Sequence, residues 1–351
     1  MKPSWFLLLL RVSVLAVAAS VHAQLAFPPF PEPDAVLQSD KAFNAVQLGP
    51  GNTFTVRQAP PDLQLDGFDF SADEKALYLE WDSGRVEVRE IESKKKVSDK
   101  KVTSGPIWQI HDRPGSGDWI VTAANRTILF VDSHSGKVLR KISAEKGRFN
   151  YDIHQIIVSP DGNWLAYTTE DNGKVLDLRS DPPAQLADLK DGNVMALSPD
   201  GRALWVLSRE KLFGFNVGDW KQIQETKLLD QVSGTLQPTL AVVGNGDRTV
   251  ALIPSQSGLL RYELPSLQVS KVTNQPTYWV GADRSHDEVF VREFKSTAVY
   301  DLDGAPKCHW QLRPAQEFTM SSSGGWLGYR NFGKAELWST EKLSRGCVSS
   351  H

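Results

Sequence analysis

The sequence predicts an all-β chain, a seven-bladed β-propeller with four-stranded antiparallel blades. Three observations carry this. One unit recurs at a period near 40 residues, each copy places a polar turn between two apolar strands, and seven copies fill the chain. The residues that open each second strand are Lys75, Asp118, Asn163, Arg202, Arg248, Asp287 and Gly325, in steps of 38 to 46 residues.

The clearest copy runs Ile156-Ile157-Val158, then Ser159-Pro160-Asp161-Gly162, then Trp164-Leu165-Ala166-Tyr167, with a third strand over Lys174–Leu178. The next runs Val194–Leu197, Ser198-Pro199-Asp200-Gly201 and Ala203–Val206. In such a turn Pro presets φ, Asp bonds back to the backbone and Gly takes positive φ. Weaker copies centre on Phe68–Leu79, Asp118–Asp132, Gly244–Leu252, Asp287–Asp301 and Ser323–Trp338. A β-sandwich lacks such a repeat, and no long amphipathic helical stretch supports an α/β domain.

The chain divides into three parts. Residues 1–23 read as a signal peptide: a basic start at Lys2, an apolar run from Phe6 to Val17, and Val21-His22-Ala23 before Gln24. That run is shorter than the roughly 20 residues of a spanning helix and contains Arg11. Residues 24–52 form a Pro-rich arm, whose Leu25–Pro33 stretch suits an extended tether better than a sheet interior. Residues 53–351 form the propeller, with Thr53–Arg57 expected to supply the outer strand of the last blade and so close the ring.

Composition narrows the partners. The formal net charge is −3 and becomes more negative without Lys2 and Arg11, so nothing drives the chain towards nucleic acid. One basic run, Lys94-Lys95-Lys96 with Lys100-Lys101, reads as a solvated connection between strands, or else as a patch for an acidic partner. The two cysteines, Cys308 and Cys347, are expected to form one disulfide in an oxidising compartment. Two unpaired thiols are the alternative.

The Ser-Pro-Asp-Gly turns followed by Trp- or Tyr-bearing strands resemble the WD40-like and YVTN-type propeller repeats of exported bacterial proteins, over roughly residues 60–345. The repeated Gly-His and Trp-Asp pairs of eukaryotic WD40 chains are missing, and Trp81-Asp82 occurs once. The resemblance implies the fold and leaves function open among scaffolds, lactonases, dehydrogenase subunits and peptidase lids.

No GxSxG elbow, HExxH zinc motif, P-loop or dinucleotide fingerprint occurs, so no catalytic residues, metal ligands or cofactor are assigned. His111 and His154 open adjacent blades and could meet near the axis, as could Asp66, Asp152 and Asp171. The face formed by the loops before each first strand and between second and third strands is the expected binding face. Its candidates are Trp81, Trp108, Arg126, Tyr151, Arg209, Trp279, Arg292 and Arg330, residue types that dominate protein interfaces. These Arg side chains could instead be paired with Asp66, Asp152, Glu170 or Asp171.

The reading that follows is a non-catalytic scaffold of the bacterial periplasm or envelope, or a secreted protein, that binds another protein and has no membrane span once processed. A propeller enzyme or enzyme subunit is the alternative, and oligomeric state is left open. N-terminal sequencing of the exported protein should begin at Gln24, and mass spectrometry without reductant should find Cys308 linked to Cys347. An intact Met1 or two alkylatable thiols would refute these two expectations respectively.

Overall fold

A computed structural model describes residues 27–38, 46–48, 54–56, 65–145, 152–169, 172–229, 239–244, 246–264, 266–311, 318–331 and 334–346. The first strands are β1 (Ala35–Gln38), β2 (Val46–Leu48) and β3 (Phe54–Val56). Blade one is β4 (Leu65–Phe70), β5 (Ala76–Trp81), β6 (Arg85–Glu90) and β7 (Lys96–Lys101). Blade two is β8 (Ile107–Arg113), β9 (Asp118–Ala123), β10 (Thr127–Asp132) and β11 (Val138–Ser143). Blade three is β12 (Gln155–Val158), β13 (Trp164–Thr168), β14 (Gly173–Asp177) and β15 (Ala184–Asp188). Blade four is β16 (Val194–Leu197), β17 (Ala203–Leu207), β18 (Lys211–Asn216) and β19 (Gln222–Lys227). Blade five is β20 (Ala241–Val243), β21 (Val250–Ser255), β22 (Gly258–Glu263) and β23 (Gln268–Thr273). Blade six is β24 (Thr277–Asp283), β25 (Glu288–Glu293), β26 (Ser296–Asp301) and β27 (Pro306–Gln311). Blade seven is β28 (Phe318–Met320), β29 (Trp326–Asn331) and β30 (Lys334–Ser339), completed by β1; a short helix α1 (Thr340–Arg345) follows.

All seven blades are four-stranded and antiparallel, with the first strand of each unit innermost. Every second strand begins within two residues of the position expected from the repeat. The apolar core is divided into seven clusters, one at each seam between neighbouring blades. The middle strands supply most of it because both of their faces are covered, as in β13, where all five residues are buried.

The turns are built as their residues dictate. Gly162 adopts φ +70°, and a Cβ there would run into the carbonyl of Pro114 in the preceding blade. Ser159 Oγ accepts the Trp164 N–H at 3.0 Å, and Asp161 accepts the Asn163 N–H at 3.1 Å. Blade one repeats the device without Pro or Gly: Ser71 Oγ accepts the Ala76 N–H at 2.9 Å, while Glu74 takes φ +56°.

Two expectations need correction. The ring is closed by β1, not by Thr53–Arg57. Ala35 pairs with Leu337 and Gln38 with Lys334, whereas Phe54–Val56 forms a separate hairpin with Val46–Leu48. Both segments have strand character, and the arm decides between them. Phe30 is buried against Trp310 and Trp338, Pro28 O accepts the Gln311 N–H at 2.9 Å, and Pro31 O accepts the Trp338 Nε1–H at 3.0 Å. The Pro-rich arm is thus docked along the outside of blades six and seven, and its end delivers Ala35 to β30.

The second correction concerns the basic run. Lys96–Lys101 is itself a strand, β7, the outer strand of blade one. This outer strand is held by backbone pairing with β6 and carries no apolar face, and Val97 is 67% exposed. Cys308 lies buried in β27, while Cys347 falls outside the described residues.

Leu37 and Val36 separate packing from pairing at the closure. Leu37 is fully buried at the seam of blades seven and one, and Val36 faces solvent. Leu37→Ala should cost about 2–5 kcal/mol in denaturant unfolding, whereas Val36→Ala should stay within about 0.5 kcal/mol. Equal effects would mean that β1 is not packed as described.

Candidate functional site

The two faces of the disc differ in how their side chains are used. The lower face carries the connections between first and second strands and between third and fourth strands. Its polar groups are largely taken up within the protein. Glu74 accepts the Ser323 N–H at 2.6 Å and the Ser323 hydroxyl at 2.7 Å, joining blades seven and one. Arg113 Nε donates to Gly162 O at 3.1 Å, joining blades two and three.

Helix α1 also docks on the lower side. Asp283 has a fully buried carboxylate that accepts from Thr340 Oγ1 at 2.7 Å and Ser285 Oγ at 2.6 Å, with His286 Nδ1 at 2.9 Å. Asp34 accepts the Ser339 N–H at 2.8 Å and pairs with Lys342 at 2.5 Å, so the same helix clasps the N-terminal arm.

The upper face is different. Ten large hydrophobic side chains are exposed among the described residues. Six lie on outer strands: Val36, Val97, Val138, Leu139, Ile223 and Val269. The other four, Trp108, Leu229, Tyr278 and Phe294, all lie on the upper face, and none lies on the lower.

Local backbone geometry explains two of the four. The inner strands of blades one, two and six each carry a β-bulge at their second residue: Asp66, Trp108 and Tyr278. A bulge inserts one extra residue and re-aims its side chain. In blade two, Ile107 and Ile110 remain in the core while Trp108 turns out, 41% exposed. In blade six, Thr277 turns inward, its hydroxyl accepting the Ser255 N–H at 3.1 Å, and Tyr278 turns out.

Below these residues the inner strands are bridged by side chains. Gln109 Nε2 donates to His154 O at 2.8 Å and its Oε1 accepts the Ile156 N–H at 3.0 Å. Gln155 does the same to Met195, at 3.0 and 2.6 Å. Asp69 accepts the Ile110 N–H at 2.9 Å, and Thr239 accepts the Val280 N–H at 3.0 Å. Each carboxamide offers the next inner strand the donor and acceptor that a paired strand would offer. Glu80 is buried above Gly67, in space that a Cβ would fill, and contacts Asp69. Desolvation holds the Asp69 carboxyl above the usual range, against the His111 charge, the Ile110 N–H and Glu80.

The sequence candidates separate accordingly. Trp108 and Arg209 are exposed on the upper face. Trp81 is a correction: it is buried in the seam of blades seven and one, because the last residue of β5 still faces β1 and β30. Trp279 is half-buried on Phe318, with ring centroids 5.5 Å apart. Arg126 shares a tight turn with Asn125, both at positive φ, and its N–H donates to Asp152 at 2.9 Å. Arg330 faces Asp66 at 3.7 Å. Arg292 is half-buried. Tyr151, Glu170 and Asp171 lie outside the described residues. His154 Nδ1 is engaged with Asn193 O at 3.1 Å, and no cluster of three potential metal ligands occurs among the described residues. No helix among them is long and apolar enough to cross a membrane.

Residue type alone does not mark Leu229 or Phe294 as face residues. Phe294 had a detectable signal: it stands in the four-residue stretch Glu293-Phe294-Lys295-Ser296 between two apolar strands, outside the alternation of either.

No protein-family model matches the sequence, and no curated protein matches it either. Among solved structures, the β-propeller domain of Myceliophteria thermophila Cps50 (Swd1) is similar. It is 13% identical, the match covers 79% of this chain and 96% of that one, and the TM-score is 0.60. The fold is a WD40-type seven-bladed β-propeller. At that identity the likeness extends to the fold alone.

The lower-face clasp should respond to pH with a definite sign. Its hydrogen bond and ion pair with Asp283 raise His286 above 6.5. Desolvation pushes Asp283 up, but hydrogen bonds from Ser285, Thr340 and His286 outweigh it and hold the carboxyl below 3.8. The His286 contribution is therefore whole below 6.5 and lost as pH rises through its folded value. The Asp283 contribution is whole above 3.8 and lost as pH falls through its folded value. An NMR titration should place the His286 midpoint above 6.5, and Asp283→Asn should lower it. A midpoint unchanged by Asp283→Asn would break the assignment.

Proposed function

We propose that this chain is a non-catalytic protein-binding scaffold that works outside the cytoplasm, in the periplasm or after secretion, and holds a partner protein on its upper face. One observation carries the reading. Every exposed large apolar side chain off the outer strands, among the described residues, lies on that face. Exposed aromatic side chains beside Arg are the composition of a binding surface, and aromatic and Arg anchors account for most of the energy in such contacts.

The rigid ring suits this role. The bulges that expose Trp108 and Tyr278 sit on strands held by seven packed seams, so the anchors need little ordering when a partner arrives. The apolar run before Gln24 supports export, and a Cys308–Cys347 link belongs to the same proposal because an oxidising compartment would form it.

Affinity capture from the envelope fraction of the source cell tests the reading. The wild-type chain should retain one partner, and Trp108→Ala combined with Arg209→Ala should reduce its recovery at least tenfold. Both residues are exposed, so the melting temperature should hardly move. Undiminished recovery by the double variant would remove this part of the face from the proposed interface.

A further inference from the structure

The rim of blade six combines an exposed aromatic pair with cationic groups that have no carboxylate partner among the described residues. Tyr278 and Phe294 are 37% and 56% exposed, with ring centroids 6.4 Å apart. Their backbones are fixed: Tyr278 is the bulged residue of β24, and the Phe294 N–H donates to Pro276 O at 2.9 Å. The pair is therefore held in place rather than merely exposed.

The charges around it are one-sided. The connection from β25 to β26 reads Glu293-Phe294-Lys295-Ser296. Glu293 turns inward, where its carboxylate accepts from Ser296 Oγ and Tyr300 OH, both at 2.5 Å. Lys295 turns outward and makes no ion pair among the described residues. On the preceding strand, Arg292 Nε has no hydrogen-bond partner among the described residues. Directly opposite it in register, Thr297 is 1% exposed and its Oγ1 also has no partner among the described residues. Arg292 is half-buried and Lys295 exposed, and a carboxylate is the acceptor that suits both cations best.

We propose that this rim docks a linear segment of the partner in which an acidic side chain lies next to an aromatic or large aliphatic one. The carboxylate meets Arg292 and Lys295, and the apolar side chain covers Tyr278 and Phe294. This rests on the scaffold reading and names the chemistry of the partner.

Panning a phage-displayed random dodecapeptide library against the full chain tests it. Enriched peptides should carry Asp or Glu within two residues of Phe, Trp or Leu. Their affinity, measured by fluorescence polarisation, should fall at least tenfold for Arg292→Gln, Lys295→Glu and Phe294→Ser. Lys295 and Phe294 are exposed, so those two variants keep the test sound if Arg292→Gln disturbs folding. Changing the peptide's acid to its amide should cause a similar loss, and added salt should weaken binding. No enrichment, enriched peptides without an acid, or unchanged binding to Lys295→Glu and Phe294→Ser would overturn the inference. Peptides that ignore the blade-six variants but are lost on Trp108→Ala with Arg209→Ala would overturn it while leaving the scaffold reading standing.

Discussion

Four paired residues hold the ring shut: Ala35–Gln38 laid antiparallel against Lys334–Leu337. Each blade buries both of its faces against neighbours, so a blade at an open end would expose one face and a sheet edge. The closing strand removes both exposures at once, and its buried members Ala35 and Leu37 complete the seam between blades seven and one. Everything around it serves to keep it there. The arm docks upstream through Phe30 and the carbonyls of Pro28 and Pro31, and Asp34 is held by Ser339 and Lys342.

A closed ring creates a second requirement at its centre. Inner strands of adjacent blades do not pair with each other, so their inward backbone groups need partners. Gln109 and Gln155 answer with a carboxamide that presents both a donor and an acceptor, while Asp69 and Thr239 present an acceptor alone. With these four junctions bridged internally, the strand ends above them are free to bulge. Asp66 is turned to Arg330, and Trp108 and Tyr278 are turned to solvent. The proposed binding surface is thus a by-product of how the inner strands begin.

The blade repeat was legible because its middle strands are buried on both sides. Trp164–Tyr167 reads as an unbroken apolar run, and Ser159–Gly162 as a turn, from residue types alone. Outer strands were not legible, since Lys96–Lys101 is held by backbone pairing that leaves no trace in its side chains. The closing strand was ambiguous for a related reason. Ala35–Gln38 and Phe54–Val56 both have strand character, and only the docking of Phe30 distinguishes them. At the site, Trp108 and Arg209 were legible as loop-face residues. Trp81 was misplaced because one further residue of β5 belongs to the core. Phe294 is a single apolar residue in a short connection, and single exposed apolar residues are ordinary, so its type alone does not mark a site.

The strand that shuts the ring is synthesised first and used last. Asp34 and Ser339, which meet beside it, are 305 residues apart in the chain. Bringing ends so distant together costs about 5 kcal/mol of loop entropy on a logarithmic scaling. Until blade seven exists there is nothing for Ala35–Gln38 to pair with, so a nascent chain must carry an unmatched strand through most of its own production. Folding dominated by such long-range pairing is slow and leaves sheet edges open to other chains. For this protein, the interval before closure is when encounters between unfinished copies are most dangerous.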